Sequence, residues 1–376
     1  MSRTVYLHVG IAKTGTTYLQ RRLFANRELL ERHGTLYPGS GPAAHFLASL
    51  DLRGTTFKGH AYDGVEGAWD RLVAAADEFG GNTLISHETL ARAKPAHIER
   101  AVSGFETDDV RVVVTVRDLA RQIPADWQET LKNRSEAAYD DYVAQLFATW
   151  PHSARPRGGF WAAQDVEALV GRWSAAVGVD NITVATVPPR GADRDQLWRR
   201  FARAADLPDV DYAKGPDTDN SSLGVAEAEL LRRLNPRLQD RLDWPAYDSL
   251  IKRRLSETIL APLDSHGRLS LPGRWAVQAR DIAASQIGFL ETSGVTVVGD
   301  LRDLEPQPTD FEARQPGELS DSELLTAALG VLATLAAEPP RDLTAVAPRR
   351  VTWASVPGAS KVARLVRRTV RRRGQS

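Results

Sequence analysis

Residues 5–17 read VYLHVGIAKTGTT and place a strand, a loop and a helix start in immediate succession. The apolar run ends at Gly10, and a helical pattern opens at Thr17. A strand that feeds a glycine-containing turn and a helix N-terminus favours anions, because the first helical N–H groups lack intrahelical partners and the peptide dipoles point the same way. Lys13 adds a full positive charge, and the threonines add hydroxyl donors. The sequence therefore predicts a loop that holds phosphate or a group of similar shape.

The residue order in this loop differs from that of nucleotide-hydrolysing P-loops. Those read G-x-x-x-x-G-K-[ST], with the lysine directly after the second glycine and a Ser/Thr on magnesium. Here Lys13 precedes Gly15, and Thr14 separates them. The order KTGTT of residues 13–17 resembles instead the 5′-phosphosulfate-binding loop of sulfotransferases that use 3′-phosphoadenosine-5′-phosphosulfate (PAPS). The alternative is a helix N-terminus that happens to be rich in threonine.

The strand and helix patterns alternate along the chain, which predicts a parallel sheet with helices on both faces. Apolar runs at 83–86, 110–116 and 181–187 are typical of buried parallel strands, and the second is the clearest. Residues 35–62 are rich in Gly, Pro, His and Thr, so we expect a loop with one short strand there. From about 193 to 292 the chain is expected to be mostly helical.

The resemblance, strongest over about residues 4–187, implies an α/β fold: a P-loop NTPase-like parallel sheet flanked by helices, with a mostly helical C-terminal half. We expect residues 1–300 to form the sulfotransferase-like α/β domain. Residues 301–376 are expected to be a C-terminal extension with a short helix and an Arg-rich tail.

The resemblance also implies how the donor is held. Ligands bind at the carboxyl ends of strands in such sheets. The amides of the loop would hold the 5′-phosphate and sulfuryl oxygens, and Lys13 would hold the bridging oxygen. The loop residues concerned are Lys13, Thr14, Gly15, Thr16 and Thr17.

Arg117 directly follows the strand at 110–116, where the family has an arginine that binds the 3′-phosphate of the donor. The alternative is a surface ion pair with Asp118. The family usually places a serine eight residues later, where this chain has Ala125. A second 3′-phosphate ligand would then come from Arg121 or from a later loop.

A candidate base follows the strand at 83–86. Transfer to a hydroxyl needs a group that takes its proton, and family members place a histidine or glutamate near this strand end. We favour His87, with Glu88 as either the base or the partner that orients it. The alternative is a helix start capped by Ser86 with Glu88 in its first turn. His8 lies in a buried strand and is expected to be a core histidine.

The acceptor side has weaker signals. Loops at 38–62 and 151–164 and the helical region after 193 are expected to shape the acceptor pocket. The segment at 220–223 resembles a family element near the nucleotide, or is a plain helix cap. Five polar or aromatic residues after Arg117 either line the acceptor cleft or form an amphipathic helix: Trp127, Gln128, Glu129, Lys132 and Asn133.

Composition narrows the function classes. The chain has 376 residues and a net charge of zero, so no whole-molecule field attracts it to nucleic acid or to acidic surfaces. It has no cysteine, and this excludes disulfides, thiolate catalysis and Cys-ligated metals. Only 7 of the 48 basic residues are lysine, a bias typical of high-GC bacterial genes such as those of actinobacteria. No secretory signal or membrane-spanning run is evident, so we expect a cytoplasmic protein.

The last residues, 364–373, read RLVRRTVRRR. This tail would make at most a weak contact with an anionic membrane surface, and we favour a solvated chain end. No nucleic-acid partner is expected, because the tail lacks aromatic residues that stack on bases.

These observations together predict an enzyme, a sulfotransferase that moves a sulfuryl group from PAPS to an acceptor hydroxyl or amine by in-line displacement. No metal is expected, since Lys13 supplies the positive charge. The acceptor is a small molecule, a carbohydrate or a lipid. The alternatives are an ATP-dependent small-molecule kinase with an atypical P-loop and a non-catalytic nucleotide-binding family member, which Ala125 would favour.

Overall fold

The computed structural model describes residues 3–107, 109–150, 159–193, 195–214, 222–239, 241–263 and 267–337. The strands are β1 Val5–His8, β2 Thr35–Leu36, β3 Asn82–Ser86, β4 Val110–Val116, β5 Ile182–Thr186 and β6 Thr296–Val298. They form a parallel sheet of order β2-β3-β1-β4-β5-β6.

Helices cover much of the remaining described chain. They are α1 Thr16–Ala25, α2 Arg27–Arg32, α3 Ala44–Arg53, α4 Ala68–Phe79, α5 Pro95–Ser103, α6 Leu119–Lys132, α7 Tyr139–Ala148, α8 Trp161–Gln164, α9 Val166–Val177, α10 Gln196–Ala204, α11 Val225–Leu238, α12 Trp244–Tyr247, α13 Ala276–Thr292 and α14 Asp321–Ala337. A π-helical segment, Asp248–Leu260, follows α12 directly. Short 3₁₀ turns occupy Glu88–Arg92, Val179–Asn181, Gly273–Trp275, Leu301–Leu304, Pro308–Phe311 and Pro316–Glu318. The predicted α/β class with a parallel sheet, flanking helices and a mostly helical C-terminal half is confirmed.

Both faces of the sheet are buried, which explains why its strands read as continuous apolar runs. Side chains alternate across each strand, so Leu7 and Val112 pack on one face together with α4, α5 and α9. Tyr6 and Val113 pack on the other face with α1, α2 and α10. A third apolar cluster joins α6, α7 and α11 and includes Trp127.

The structure corrects one predicted loop and one predicted helix. Residues 44–53 form α3, although the segment 35–62 was expected to hold only a short strand. Its buried residues include His45, Ala48 and Leu52. The helix predicted to open at Thr17 is interrupted at Asn26, where α1 ends and α2 begins, and the Asn26 side-chain amide donates to the carbonyl oxygens of Arg22 and Ala213.

The chain divides after Val331 into a larger and a smaller compact unit. The boundary that we predicted at residue 300 falls inside the larger unit, where Leu304 joins the sheet core and Leu319 and Leu324 join the third cluster. The Arg-rich tail and residues 215–221 lie outside the described residues. No single described helix is long and apolar enough to cross a membrane. Two consecutive segments, Leu301–Glu318 and Asp321–Ala337, have that length and composition only when taken together, and they are bent by 91° where they meet.

Candidate functional site

Three strand ends meet at one edge of the sheet. β1 lies between β3 and β4, with His8 level with Ser86 of β3 and Val113 of β4. The loop after β1, the pair His87 and Glu88 after β3, and Arg117 after β4 therefore emerge side by side. This is the topological switch point of the sheet, the usual ligand position in open α/β folds.

The loop after β1 has a shape that only some residues adopt. Lys13 and Gly15 both have positive φ angles, 67° and 88°. Gly15 caps α1, and a Cβ atom there would lie 2.6 Å from Leu197 Cδ2. A residue larger than glycine would therefore meet both backbone strain and a steric clash.

Thr14 fastens this loop to the sheet. Its buried hydroxyl lies 2.5 Å from the Ile11 carbonyl oxygen, to which it donates, and 2.5 Å from Thr115 Oγ1. The Thr14 side chain is thus used within the protein, and only its amide remains for a ligand. The hydroxyls of Thr16 and Thr17 make no hydrogen bond within the described ranges, so they differ from Thr14 in being available.

Beneath the loop, buried polar groups form a closed network. His8 bonds Ser86 Oγ through Nδ1 at 2.7 Å and Thr115 Oγ1 through Nε2 at 3.3 Å. The Ser86 amide donates to His45 Nδ1 at 3.0 Å, and His45 Nε2 bonds the Pro38 carbonyl oxygen at 2.7 Å. Burial lowers the pKa of His8 to about 3 and that of His45 to about 4. His8 is the core histidine that its strand position predicts.

The Lys13 ammonium is paired with a carboxylate from α6. Its Nζ atom donates to Glu129 Oε2 at 2.8 Å, and Lys252 Nζ donates to the other carboxylate oxygen at 2.8 Å. Burial lowers the pKa of Lys13, but the Glu129 carboxylate outweighs it and leaves that pKa above its ordinary value. Burial alone would raise the pKa of Glu129, but the two ammonium groups hold it well below its usual range. Lys13 therefore stays charged at neutral pH.

Arg117 has no acidic partner among the described residues. Its Nη1 atom donates to the Lys13 carbonyl oxygen at 3.0 Å, which joins the end of β4 to the loop. Its Nε–H group is buried and has no hydrogen-bond acceptor in the described part of the chain. Burial, and then the neighbouring Arg121, lower the pKa of Arg117 to about 10, so it remains charged. The alternative ion pair with Asp118 does not form, because Asp118 pairs with Arg121.

Two further arginines, Arg121 and Arg190, lie near Arg117 in the described structure. Arg121 is occupied, since it bonds both Asp118 and the Pro188 carbonyl oxygen. Arg190, in the loop after β5, contributes to the positive potential at Arg117, and 45% of its side chain is exposed. Its present partner is Asp310, 3.2 Å away.

Glu88 lies against the loop. A Cβ atom on Gly10, whose φ is 102°, would come within 2.9 Å of Glu88 Cα. Gln20 of α1 donates to Glu88 Oε2 at 3.0 Å. Burial raises the pKa of Glu88. The combined effect of His87, the Gln20 hydrogen bond and Lys13 is opposite and larger, so the pKa lies below its ordinary value. Glu88 is therefore an ionised carboxylate within the field of Lys13.

His87 lies on the other side of this carboxylate. Its Nδ1 atom is 2.8 Å from Thr89 Oγ1, and its ring centre is 5.4 Å from that of Phe46. Burial lowers its pKa, with Glu88 opposing and Arg53 adding to the shift. The Thr89 amide donates to His87 Nδ1 at 3.3 Å, so in the neutral imidazole Nε2 carries the hydrogen, and Nδ1 must leave Thr89 before it can accept a proton.

The residues predicted on α6 divide into two groups. Trp127 is fully buried, and Gln128 is tied to both backbone groups of Leu223, so neither lines a cleft. Glu129, Lys132 and Asn133 lie on the side of Lys13. Sequence reasoning missed three further polar residues at this edge, Gln20, Arg190 and Lys252, because no motif marks them.

Comparison with known proteins gives a weak structural likeness to a sulfotransferase. No family model matches the chain, and no curated protein matches it at a significant level. The chain is similar to the crystal structure of a sulfotransferase from Alicyclobacillus acidocaldarius, at 18% identity and a TM-score of 0.34, over 68% of this chain and 98% of that one.

Proposed function

We propose that this protein is a sulfotransferase that uses PAPS as its donor and transfers the sulfuryl group to an acceptor hydroxyl or amine. The observation that carries the proposal is the Arg117 guanidinium, which is partly buried beside the loop, lacks a carboxylate partner in the described ranges and keeps a buried Nε–H without an acceptor. A buried cation without a counter-ion is costly, so its retention at a strand end favours an anionic ligand there.

The residues around the loop fit a donor with two anionic ends. The 5′-phosphosulfate would lie on the amides of residues 14–17, with the free hydroxyls of Thr16 and Thr17 as further donors. The 3′-phosphate would lie on Arg117, with Arg190 as the second cation. This division explains why two separate positive groups, Lys13 and Arg117, converge on one loop.

In the proposed reaction, the acceptor oxygen forms a bond to sulfur as the bond from sulfur to the bridging oxygen breaks. The electron pair of the broken bond stays on that oxygen, which becomes part of adenosine 3′,5′-bisphosphate. Lys13, kept protonated by Glu129, would stabilise this charge more in the transition state than in the ground state.

The proton of the acceptor passes to a base at the end of β3. Glu88 has the better position relative to Lys13, because each shifts the pKa of the other. His87 is neutral, but its Nδ1 atom accepts from the Thr89 amide, whereas Glu88 is ionised and its carboxylate oxygens are acceptors. We therefore assign the base to this pair, with Gln20 orienting the carboxylate.

Calorimetric titration with adenosine 3′,5′-bisphosphate, beside ATP with magnesium, tests the donor site. We expect tight, metal-independent binding of the bisphosphate. Arg117→Ala should weaken it by about tenfold or more, since a charged hydrogen bond contributes about 1.5–3 kcal/mol. Arg111→Ala is the matched control, because Arg111 lies on β4, the strand that Arg117 follows, but is exposed and paired with Asp109.

Preference for ATP with magnesium would overturn the proposal in favour of a kinase. Binding of neither nucleotide would leave a non-catalytic scaffold. Equal losses in Arg117→Ala and Arg111→Ala would show that the assigned 3′-phosphate position is wrong.

A further inference from the structure

Four of the seven lysines in this arginine-rich chain lie around the Glu129 carboxylate on the α6 side of the loop. We call Lys13, Lys58, Lys132 and Lys252 the lysine cluster. They come from the loop after β1, the segment after α3, the end of α6 and the π-helical segment. Glu129 is at the centre, with Lys13 and Lys252 on its two oxygens.

Two members of the lysine cluster lack a counter-ion. Within the described residues, neither Lys58 nor Lys132 makes a hydrogen bond or an ion pair. Glu129 is bonded to other groups instead, since its Oε2 atom accepts from Lys13 and its Oε1 atom accepts from both Lys252 and the Asn133 amide, the latter at 3.1 Å.

The other carboxylates nearby do not fill this role. Glu257 is exposed to solvent, and Asp126 is bonded by the Tyr142 hydroxyl at 2.6 Å. Arg134 adds a further positive charge, since its guanidinium bonds only the carbonyl oxygens of Leu242 and Asp243 in the described structure.

Electrostatic coupling agrees with this geometry. Burial lowers the pKa of Lys132, and Lys13 and Lys252 lower it further against the opposing carboxylates Glu129 and Glu257. Lys58 is exposed, and partial desolvation, then Lys252 and Arg134, lower its pKa against the opposing carboxylate of Glu129. Each unpaired ammonium would thus be stabilised by an added anion.

A wall of aromatic rings borders the lysine cluster on one side and the candidate base on the other. We call Phe46, Phe57, Tyr62 and Trp244 the aromatic wall, with neighbouring ring centres 5.5–5.6 Å apart. Lys252 Nζ is 5.8 Å from the centre of Phe57, and Phe46 is 5.4 Å from His87. The wall therefore connects the proposed base to Lys252, the member of the lysine cluster that is paired with Glu129.

We infer that the lysine cluster selects an acceptor that carries a fixed negative charge beside its reacting hydroxyl, an acidic sugar or a related ring compound. The inference rests on the proposed function, which makes this space the acceptor side of the loop. Lys58 and Lys132 hold the anionic group, and the aromatic wall packs against the apolar face of the ring. The wall also excludes water, which strengthens attraction between the charges.

The test compares two probes that differ in one carboxylate, 4-nitrophenyl β-D-glucuronide and 4-nitrophenyl β-D-glucoside. Each is titrated calorimetrically into the full chain with and without saturating adenosine 3′,5′-bisphosphate. The variant Lys58→Gln/Lys132→Gln removes the two unpaired charges without breaking an ion pair of the described structure. Lys94→Gln, an exposed lysine outside the cluster, is the matched control.

We expect the glucuronide to bind at least tenfold more tightly than the glucoside to the wild type and to Lys94→Gln. The difference should fall below threefold in the double variant, while its affinity for adenosine 3′,5′-bisphosphate stays within twofold of the wild type. Circular dichroism and the melting temperature confirm that the double variant is folded.

Equal affinity for the two probes, no binding of the glucuronide, or a preference that survives in the double variant would overturn the inference. Loss of bisphosphate binding in the double variant would also overturn it, because the lysines would then serve the donor. Failure of the proposed function has a separate signature, since the wild type would then fail to bind the bisphosphate at all.

Discussion

The buried network beneath the loop and the cations beside it are both polar, but they differ in how their groups are satisfied. His8, Ser86 and Thr115 bond one another and leave no ring nitrogen of His8 without a partner. Arg117 and Lys132, by contrast, have no acidic partner within the described residues. Buried polar groups that are fully bonded stabilise a fold, whereas unpaired charges cost stability and are retained at functional sites. The difference separates the residues that build the site from those that use it.

Acid should cause the largest loss of stability, because it protonates the two buried histidines of the network in the unfolded chain. The ordinary histidine pKa is 6.5, and the folded values are about 3 for His8 and about 4 for His45. The unfolded chain therefore binds more protons below pH 6.5, and stability falls as the pH falls through this window toward 4. We expect each histidine to cost about 2 kcal/mol at pH 5 relative to pH 7.5, measured by urea unfolding.

Two variants check the source of this acid sensitivity. His45→Gln should remove about 2 kcal/mol of the pH-dependent loss. His33→Gln, at an exposed position, should leave it unchanged. If the free energy of unfolding were the same at pH 5 and pH 7.5, the network would not hold its histidines neutral.

Removing one hydroxyl from the network should have the next largest effect. Thr115→Val keeps the shape but leaves His8 Nε2 without a partner and removes one of the two hydrogen bonds of Thr14 Oγ1, which still donates to Ile11, at a cost of about 1–3 kcal/mol. Thr183→Val on the neighbouring strand is the control, because Thr183 Oγ1 makes no hydrogen bond within the described ranges. We expect it to change the free energy of unfolding by less than about 0.5 kcal/mol. If Thr115→Val also changed the free energy of unfolding by less than about 0.5 kcal/mol, the bonded network would not differ in stability from the unpaired cations.

The smallest effect, and one of opposite sign, is expected among the unpaired cations. Lys132→Met removes a partly buried ammonium that has no partner in the described structure, so stability should stay the same or rise by up to about 1 kcal/mol. Thermal and urea unfolding of this variant beside Thr115→Val measure the contrast. A loss above 1 kcal/mol in Lys132→Met would mean that this lysine supports the fold instead.

The sequence predicts the sheet well because its signals are local. The run at 110–116 is β4 as predicted, and the loop order at 13–17 places Lys13 and Gly15 in the conformations that the turn needs. Helix α3 was missed because glycine and proline around it outweighed the apolar spacing of its buried residues. Local composition decided that prediction, whereas packing decided the structure.

The candidate site could be predicted only in part, because some of its contacts join residues that are far apart in the sequence. His87, Glu88 and Arg117 follow strands, so the topology alone brings them together. The Glu129 carboxylate joins Lys13 to Lys252, residues that are far apart in sequence and lie on elements with no shared motif. Asp118 pairs with Arg121 and leaves Arg117 without an acidic partner in the described structure. This choice of partner depends on side-chain geometry that cannot be read from the sequence.

The most direct measurement is heat denaturation with and without adenosine 3′,5′-bisphosphate for the wild type, Thr115→Val and Arg117→Met. A ligand that binds only the folded state raises the melting temperature. Thr115→Val should melt earlier and still gain from the bisphosphate, whereas Arg117→Met should melt near the wild type and gain clearly less at the same bisphosphate concentration, because its binding is weaker by about tenfold or more. If Arg117→Met instead lost stability like Thr115→Val and kept the ligand-induced rise, Arg117 would be part of the fold and the proposed donor site would be wrong.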